Sequence, residues 1–247
     1  MDAVKTIGLT KTYKELTAVD RLDLTIPQGE LFSLLGVNGA GKTTTIKMLC
    51  CLTRPTAGDA FLNGSSILTD PAGVKARIGV SPQETAVAPN LTVQENLELM
   101  CGVHGFTREK QMQKVRQIAE ELGLEDILKR KAGKLSGGWQ RRLSIAMALI
   151  GEPEILFLDE PTLGLDVLAR RELWEHIRRL HGQVAIVLTT HYLEEAEALA
   201  DRIGVMANGK LKALGTAREL MEQTGKHNFE EAFIALAAEG GNAECLH

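Results

Sequence analysis

Apolar and polar positions change period several times along the 247-residue chain, and each change marks an element. Leu22-Asp-Leu-Thr-Ile26 alternates with period two, the pattern of a half-buried strand. Val4–Leu9 reads as a short strand before it, and Pro27-Gln-Gly29 ends the pair. The run Glu30–Leu35, ending at Gly36, predicts a buried strand feeding a loop, and Thr43–Cys51 predicts a helix. Gly58–Leu62 predicts another strand, with Asn63-Gly64 as a turn. From about Glu84 to Leu149 helical periodicity replaces strand patterning, most clearly in Leu91–Leu97 and in Glu109–Leu122, with Gly123 as a stop. This predicts a helical lobe inserted into an α/β core.

The strand signal returns at Ile155–Leu158, Val184–Leu188 and Ile203–Met206, alternating with helices near Leu168–Leu180 and Leu193–Ala200. Strand–helix alternation of this kind argues for a parallel sheet. Asn208-Gly209 predicts a hairpin turn before Lys210–Leu214. After Thr216 the chain reads as a helical tail with Phe229, Ala232, Phe233 and Leu236 on one face, expected to pack on the body.

Composition narrows the class. A 44% hydrophobic and 24% charged chain of this length supports one large domain with an inserted lobe. A net charge of −4 and the lack of a long basic run argue against a nucleic-acid footprint, so no nucleic-acid partner is expected. No apolar stretch approaches the roughly 20 residues that span a bilayer, and Met1-Asp-Ala-Val-Lys5 has no signal-peptide pattern. The chain is therefore expected to be soluble, with any membrane role exerted through a partner. Cys50, Cys51, Cys101 and Cys245 lack metal-site spacing, which fits a reduced, cytosolic setting.

Two glycine clusters carry the candidate chemistry. Gly36-Val37-Asn38-Gly39-Ala40-Gly41-Lys42-Thr43 fits the pattern GxxxxGK[ST], between a strand and a helix. Its backbone N–H groups would surround phosphate oxygens, with the helix dipole behind them. Lys42 would neutralise the β- and γ-phosphates, the Thr43 hydroxyl would ligate Mg²⁺, and Thr44 could bond the α-phosphate. Ile155–Leu158 would deliver Asp159 to a sheet edge to hold Mg²⁺, and Glu160 could polarise the attacking water. Each acid alone could equally be a solvated strand end or a helix cap. In the second cluster, Leu135-Ser136-Gly137-Gly138, a serine and bare backbone precede a helix. That arrangement is either a second anion site or a simple N-cap.

In this order, Tyr13, Gly36–Thr44, Gln83, Leu135–Gln140, Ile155–Glu160, Asp166 and His191 resemble the nucleotide-binding subunits of ATP-binding cassette (ABC) transporters, over roughly Val4 to Leu220. The resemblance implies an α/β P-loop NTPase cassette with a RecA-like parallel-sheet core, an N-terminal antiparallel β subdomain and an inserted helical lobe. Residues 1–220 would form the ATPase domain, with the lobe at about 84–150, and residues 221–247 a short helical tail. It implies ATP and Mg²⁺ as cofactors and a second ABC subunit, a homodimer, whose Ser136, Gly137 and Gly138 close the partner's site. Tyr13 would stack on adenine. Gln83 would contact Mg²⁺ or the lytic water, Asp166 would communicate across the dimer, and His191 would hold the γ-phosphate as a switch. Unaided, Gln83 reads as a loop residue, Asp166 as an N-cap and His191 as a satisfied, partly buried histidine.

His191-Tyr-Leu-Glu-Glu-Ala-Glu197, with Asp201-Arg-Ile203 and Gly209, resembles the ATPases of ABC-2-type exporters. That implies an integral-membrane permease as partner and a peripheral position on the cytoplasmic face of the membrane. The alternative is a non-transport ABC ATPase acting on a soluble macromolecule. Two residues depart from the family pattern: Trp139 stands where glutamine or another less bulky residue is expected, and Leu163 where small residues are frequent. Neither removes a reacting group, so hydrolysis is expected to survive.

Overall fold

The computed structural model describes residues 2–238, in two compact units. The end of the expected tail, with Cys245, lies outside the described residues. Unit one comprises residues up to 76 and from 185, and unit two is 77–184.

Unit one opens with β1 (Asp2–Tyr13) and β2 (Leu16–Pro27), an antiparallel pair longer than the sequence pattern predicts. The extra residues, such as Thr10-Lys11-Thr12, are polar and pair through backbone rather than apolar burial. β3 (Leu31–Leu35) follows, then α1 (Lys42–Leu49), β4 (Ala57–Leu62), β5 (Ser65–Ser66) and the short α2 (Pro71–Lys75). β4 pairs antiparallel with β1, giving a sheet in the order β2-β1-β4-β5.

Unit two begins with β6 (Ile78–Ser81), then α3 (Val93–Val103), α4 (Arg108–Glu121), α5 (Gly137–Leu149), β7 (Ile155–Asp159) and α6 (Val167–Leu180). β6 was hidden in the sequence pattern because it is short and broken by Gly79. It pairs in parallel with β7, from Ile78 against Ile155 to Ser81 against Leu158. A Cβ on Gly79 would lie 2.3 Å from the Ala148 carbonyl oxygen, so the strand is bare there to admit α5.

Unit one resumes with β8 (Ala185–Thr190), α7 (Leu193–Leu199), β9 (Arg202–Ala207), β10 (Lys210–Gly215), α8 (Ala217–Thr224) and α9 (Phe229–Ala238). β3 lies between β8 and β9, parallel to both, and is buried along its whole length. Leu35, Ile203, Val205, Leu220, Phe229 and Leu236 share one core cluster, with Phe233 packed against it. The tail face read from the sequence therefore covers the sheet, and α8 runs across position 220.

Beneath β3, Arg202 Nε donates to Glu30 Oε1 at 2.6 Å and its Nη2 to Oε2 at 2.9 Å. This hydrogen-bonded carboxylate raises the Arg202 pKa above its ordinary value, against the opposing effect of burial. Glu30→Gln is expected to destabilise the chain by about 2 kcal/mol, because the charge-assisted pair between a buried carboxylate and a half-buried guanidinium is lost. Urea unfolding midpoints at an unchanged slope check this.

In unit two, Lys114 is almost buried and donates to Glu152 Oε1 at 3.1 Å, with Lys110 3.7 Å from the other carboxylate oxygen. The Lys114 hydrogen bond, then its charge, holds the Glu152 carboxyl below its usual range. A depressed carboxyl stabilises above its unfolded pKa and loses that contribution as pH falls through the folded value. Glu152→Gln is thus expected to flatten the acid side of the stability–pH curve, measured as thermal midpoints from neutral to acid.

Candidate functional site

In unit one the buried β3 ends at Gly36, whose N–H donates to the Thr190 carbonyl at 3.2 Å. Two glycines of the following loop take left-handed conformations, Gly39 at φ 81° and Gly41 at φ 106°. At Gly41 a Cβ would stand 2.3 Å from the Ala18 carbonyl oxygen, so the close approach of β2 requires glycine as much as the φ does. Gly41 is also the N-cap of α1 and offers no side-chain cap, and a helix N-terminus of this kind attracts an anion.

Lys42 is 5% exposed, and its Nζ donates to the Gly36 carbonyl at 2.7 Å and the Val37 carbonyl at 3.2 Å. The ammonium is thus drawn across the loop. Thr43 and Thr44 are half-buried in the first turn of α1, while Val37, Asn38 and Gly39 are exposed at the rim and Ala40 is buried.

The same unit brings His191 to this end of the sheet. Thr190, its neighbour, pairs with Leu35 and bonds Gly36, and the Tyr192 N–H donates to the Thr190 hydroxyl at 3.0 Å. The His191 and Tyr192 rings lie 4.1 Å apart. Tyr13 ends β1 with an exposed ring, and the Lys11 ammonium lies 5.0 Å from its centroid. A support absent from the sequence reading is the β9–β10 turn. Gly209 N–H donates to the Ala40 carbonyl at 3.1 Å, and the Gly209 carbonyl accepts from Asp20 N–H at 2.8 Å. Asn208-Gly209 signalled a turn, but nothing local in the sequence said that the turn props the phosphate loop.

In unit two, every residue of β7 is buried, and Asp159 and Glu160 at its end are each 5% exposed. Glu160 has φ 49°, a left-handed conformation that costs a non-glycine residue about 1–3 kcal/mol. Such strain concentrates where a side chain must be aimed. The parallel partner β6 ends at Ser81, so Pro82 and Gln83 emerge at the same sheet end as Asp159 and Glu160. Buried Arg141 donates from Nη1 to the Pro82 carbonyl and from Nη2 to the Gln83 carbonyl, each at 2.5 Å. It fixes this loop, while Gln83 itself is exposed. Arg141 was not singled out in the sequence, where it is one of two adjacent arginines.

The second glycine cluster opens α5. Ser136 occupies the N-cap position with extended backbone but makes no capping hydrogen bond. It is exposed, as is Gly137, and Gly138 is half-buried. Asp166 resolves differently: its Oδ1 accepts from Leu168 N–H at 3.0 Å and Ala169 N–H at 2.9 Å, so it caps α6. Between them the loop carries Thr162, fully buried, and exposed Leu163. A cavity of about 260 Å³ lies beside the β6 end, lined by Val80, Pro82, Ala86, Met100 and His104 among others. Close by in sequence, α3 exposes Leu99 and Val103.

A glycine loop opening a helix after one buried parallel strand, and a buried acidic pair ending another, define a P-loop nucleotide-binding protein. Comparison with known proteins narrows this. The family described as ABC transporter matches residues 19–163, and the chain belongs to it. It is 41% identical over 226 residues to the daunorubicin/doxorubicin resistance ATP-binding protein DrrA of Streptomyces peucetius, covering 91% of this chain and 68% of that protein. Among solved structures, an ATP-binding subunit of an ABC transporter superposes with TM-score 0.84 at 29% identity, covering 95% of this chain and 99% of the other. A dimeric ATP-binding cassette in a post-hydrolysis state with ADP and phosphate gives TM-score 0.78 at 27% identity, over 86% and 98%. The chain thus has the RecA-like ABC ATPase fold, with its N-terminal antiparallel sheet and helical subdomain, and is an ATP-binding subunit related to ABC-2-type exporter ATPases. Among the described residues, no helix is long and apolar enough to cross a membrane.

Proposed function

We propose that two copies of this chain clamp two ATP molecules head to tail and use the hydrolysis cycle to drive export through a separate integral-membrane permease. The observation that carries the shared-site reading is Ser136. A serine at an N-cap position normally bonds the backbone of its own helix; this one does not, and it stands exposed beside bare glycine. A helix start so presented is suited to an anion brought by another molecule.

In this reading Gly36–Thr44 cradles the phosphates, Lys42 balances charge on the transferring phosphoryl, and His191 holds the γ-phosphate. Tyr13 stacks on adenine. Glu160 accepts the proton of the attacking water, which Gln83 helps to orient. Ser136, Gly137 and Gly138 of the second copy close the site, and Asp166, while capping α6, carries the interface loop. The hydroxyl of Thr43, the carboxylate of Asp159 and the amide oxygen of Gln83 are hard oxygen donors of the type Mg²⁺ takes. Bound there, the ion would offset charge on the β- and γ-phosphates. Closure assembles the site only when ATP is present, so turnover and reopening are linked.

The cavity beside Pro82 and the exposed Leu99 and Val103 support a docking role for the surface near Gln83–Leu97 toward the permease, on the cytoplasmic face of the membrane. Similarity to a drug-resistance ATP-binding protein supports export as the direction. The ATPase domain is proposed at residues 1–220, with its lobe at about 84–150 and the tail from 221. The test is co-purification from detergent-extracted native membranes followed by ATPase assay. An integral-membrane partner that stimulates turnover is expected; a soluble partner with that effect would favour the non-transport alternative.

A further inference from the structure

Trp139 follows the second glycine cluster directly, and the ATP cycle assigns it no task. Its indole is half-buried, and the guanidinium carbon of Arg142 lies 4.4 Å from its ring centroid. The two residues are three apart on α5 and therefore share a face. Arg142 is 8% exposed, and its Nη2 donates to Glu172 Oε2 on α6. One turn earlier the same helices touch again: a Cβ on Gly138 would lie 3.3 Å from the Ala169 methyl. The contacts run in step, Gly138 against Ala169 and Arg142 against Glu172. At their head stand Ser136 on one helix and the Asp166 cap on the other.

We propose that Trp139 is a positioning residue. Stacked on Arg142, it aims the guanidinium at Glu172 and fixes the start of α5 onto the start of α6. Ser136–Gly138 and Thr162–Asp166 then form one rigid piece. The proposal rests on the shared-site reading and adds how the closing jaw is kept in shape. An indole face holds a guanidinium better than any aliphatic side chain because its π-electrons attract the cation, and the effect grows where water is excluded. A jaw already ordered loses little conformational freedom on dimer closure. Its loosening is therefore read in the ATP concentration needed to close the dimer, not in the nucleotide affinity of the open monomer.

The experiment is sedimentation velocity of the full chain carrying Glu160→Gln, titrated with Mg-ATP, with Trp139→Phe, Trp139→Leu or Arg142→Met added. Trp139→Leu and Arg142→Met are expected to raise the ATP midpoint of dimerisation about tenfold, or about 1.4 kcal/mol per ATP bound. Trp139→Phe, which keeps a π face, is expected to stay within about threefold of the parent. Monomer affinity for ADP and the thermal midpoint serve as controls for folding, and Trp139→Phe remains informative if the leucine variant unfolds. Equal midpoints for the phenylalanine and leucine variants would overturn the stacking role, as would an unshifted Arg142→Met. A parent chain that never dimerises with ATP would instead defeat the shared-site reading, so the two failures are distinct.

Discussion

Glu160→Gln is expected to lower steady-state ATP turnover about 10³-fold while leaving nucleotide affinity within about twofold, the size of effect that loss of a general base produces. The side chain is 5% exposed at the end of a fully buried strand, so its carboxylate is held in place rather than freely solvated. Its backbone is left-handed, a conformation tolerated because the surroundings dictate it. Glutamine keeps the shape and hydrogen-bonding reach of the acid but cannot take a proton from water. Hydrolysis, which would remove the γ-phosphate contacts that hold the site closed, is then blocked, and the ATP-bound dimer accumulates. Phosphate release and equilibrium nucleotide binding measured on the same preparation check both halves. Normal turnover in the variant would remove Glu160 from the mechanism.

Lys42→Ala is expected to act earlier, weakening ATP binding about 10²- to 10³-fold, as loss of a charge-assisted phosphate contact would. In the structure its ammonium is drawn across the loop by the Gly36 and Val37 carbonyls. The substitution therefore removes the phosphate partner and also leaves two loop carbonyls without that donor. Arginine should not rescue it: a planar guanidinium cannot replace a compact ammonium in a loop built to this size. Isothermal titration with ATP distinguishes this loss of binding from the loss of chemistry at Glu160. Retained affinity in Lys42→Ala would show that the loop backbone alone holds the phosphates.

What the sequence disclosed depended on whether the signal was local. The β3–loop–α1 unit was legible because an apolar run, glycines at fixed offsets and a helix start are neighbours in the chain. The Phe229–Leu236 stripe was legible for the same reason, since periodicity alone marks a buried face. β6 was not, because four residues interrupted by Gly79 carry too little pattern to separate from a loop. The outer halves of β1 and β2 were missed because polar residues there pair through backbone, which leaves no periodic trace.

At the candidate site, residue types could be read but their geometry could not. Nothing in Leu158-Asp-Glu-Pro161 announces a left-handed Glu160. Asp166 and Ser136 both read as N-caps, yet only Asp166 makes capping bonds, a difference set by tertiary packing rather than by propensity. Long-range supports were invisible for the same reason. Gly209 against Ala40 spans 169 positions, and the Arg141 clasp on Pro82 and Gln83 joins segments nearly 60 residues apart.

The central claim is that each working site is built from two chains, and one mixing experiment tests it. Lys42→Ala and Ser136→Arg chains are assayed for ATPase activity separately and then together in equal amounts. Each alone should be inactive, because every site in its homodimer carries the defect. A mixed dimer places both defects in one site and leaves the other whole. Random pairing in a two-fold dimer should then restore about a quarter of the unmutated rate. A mixture no more active than the sum of its parts would contradict the shared site.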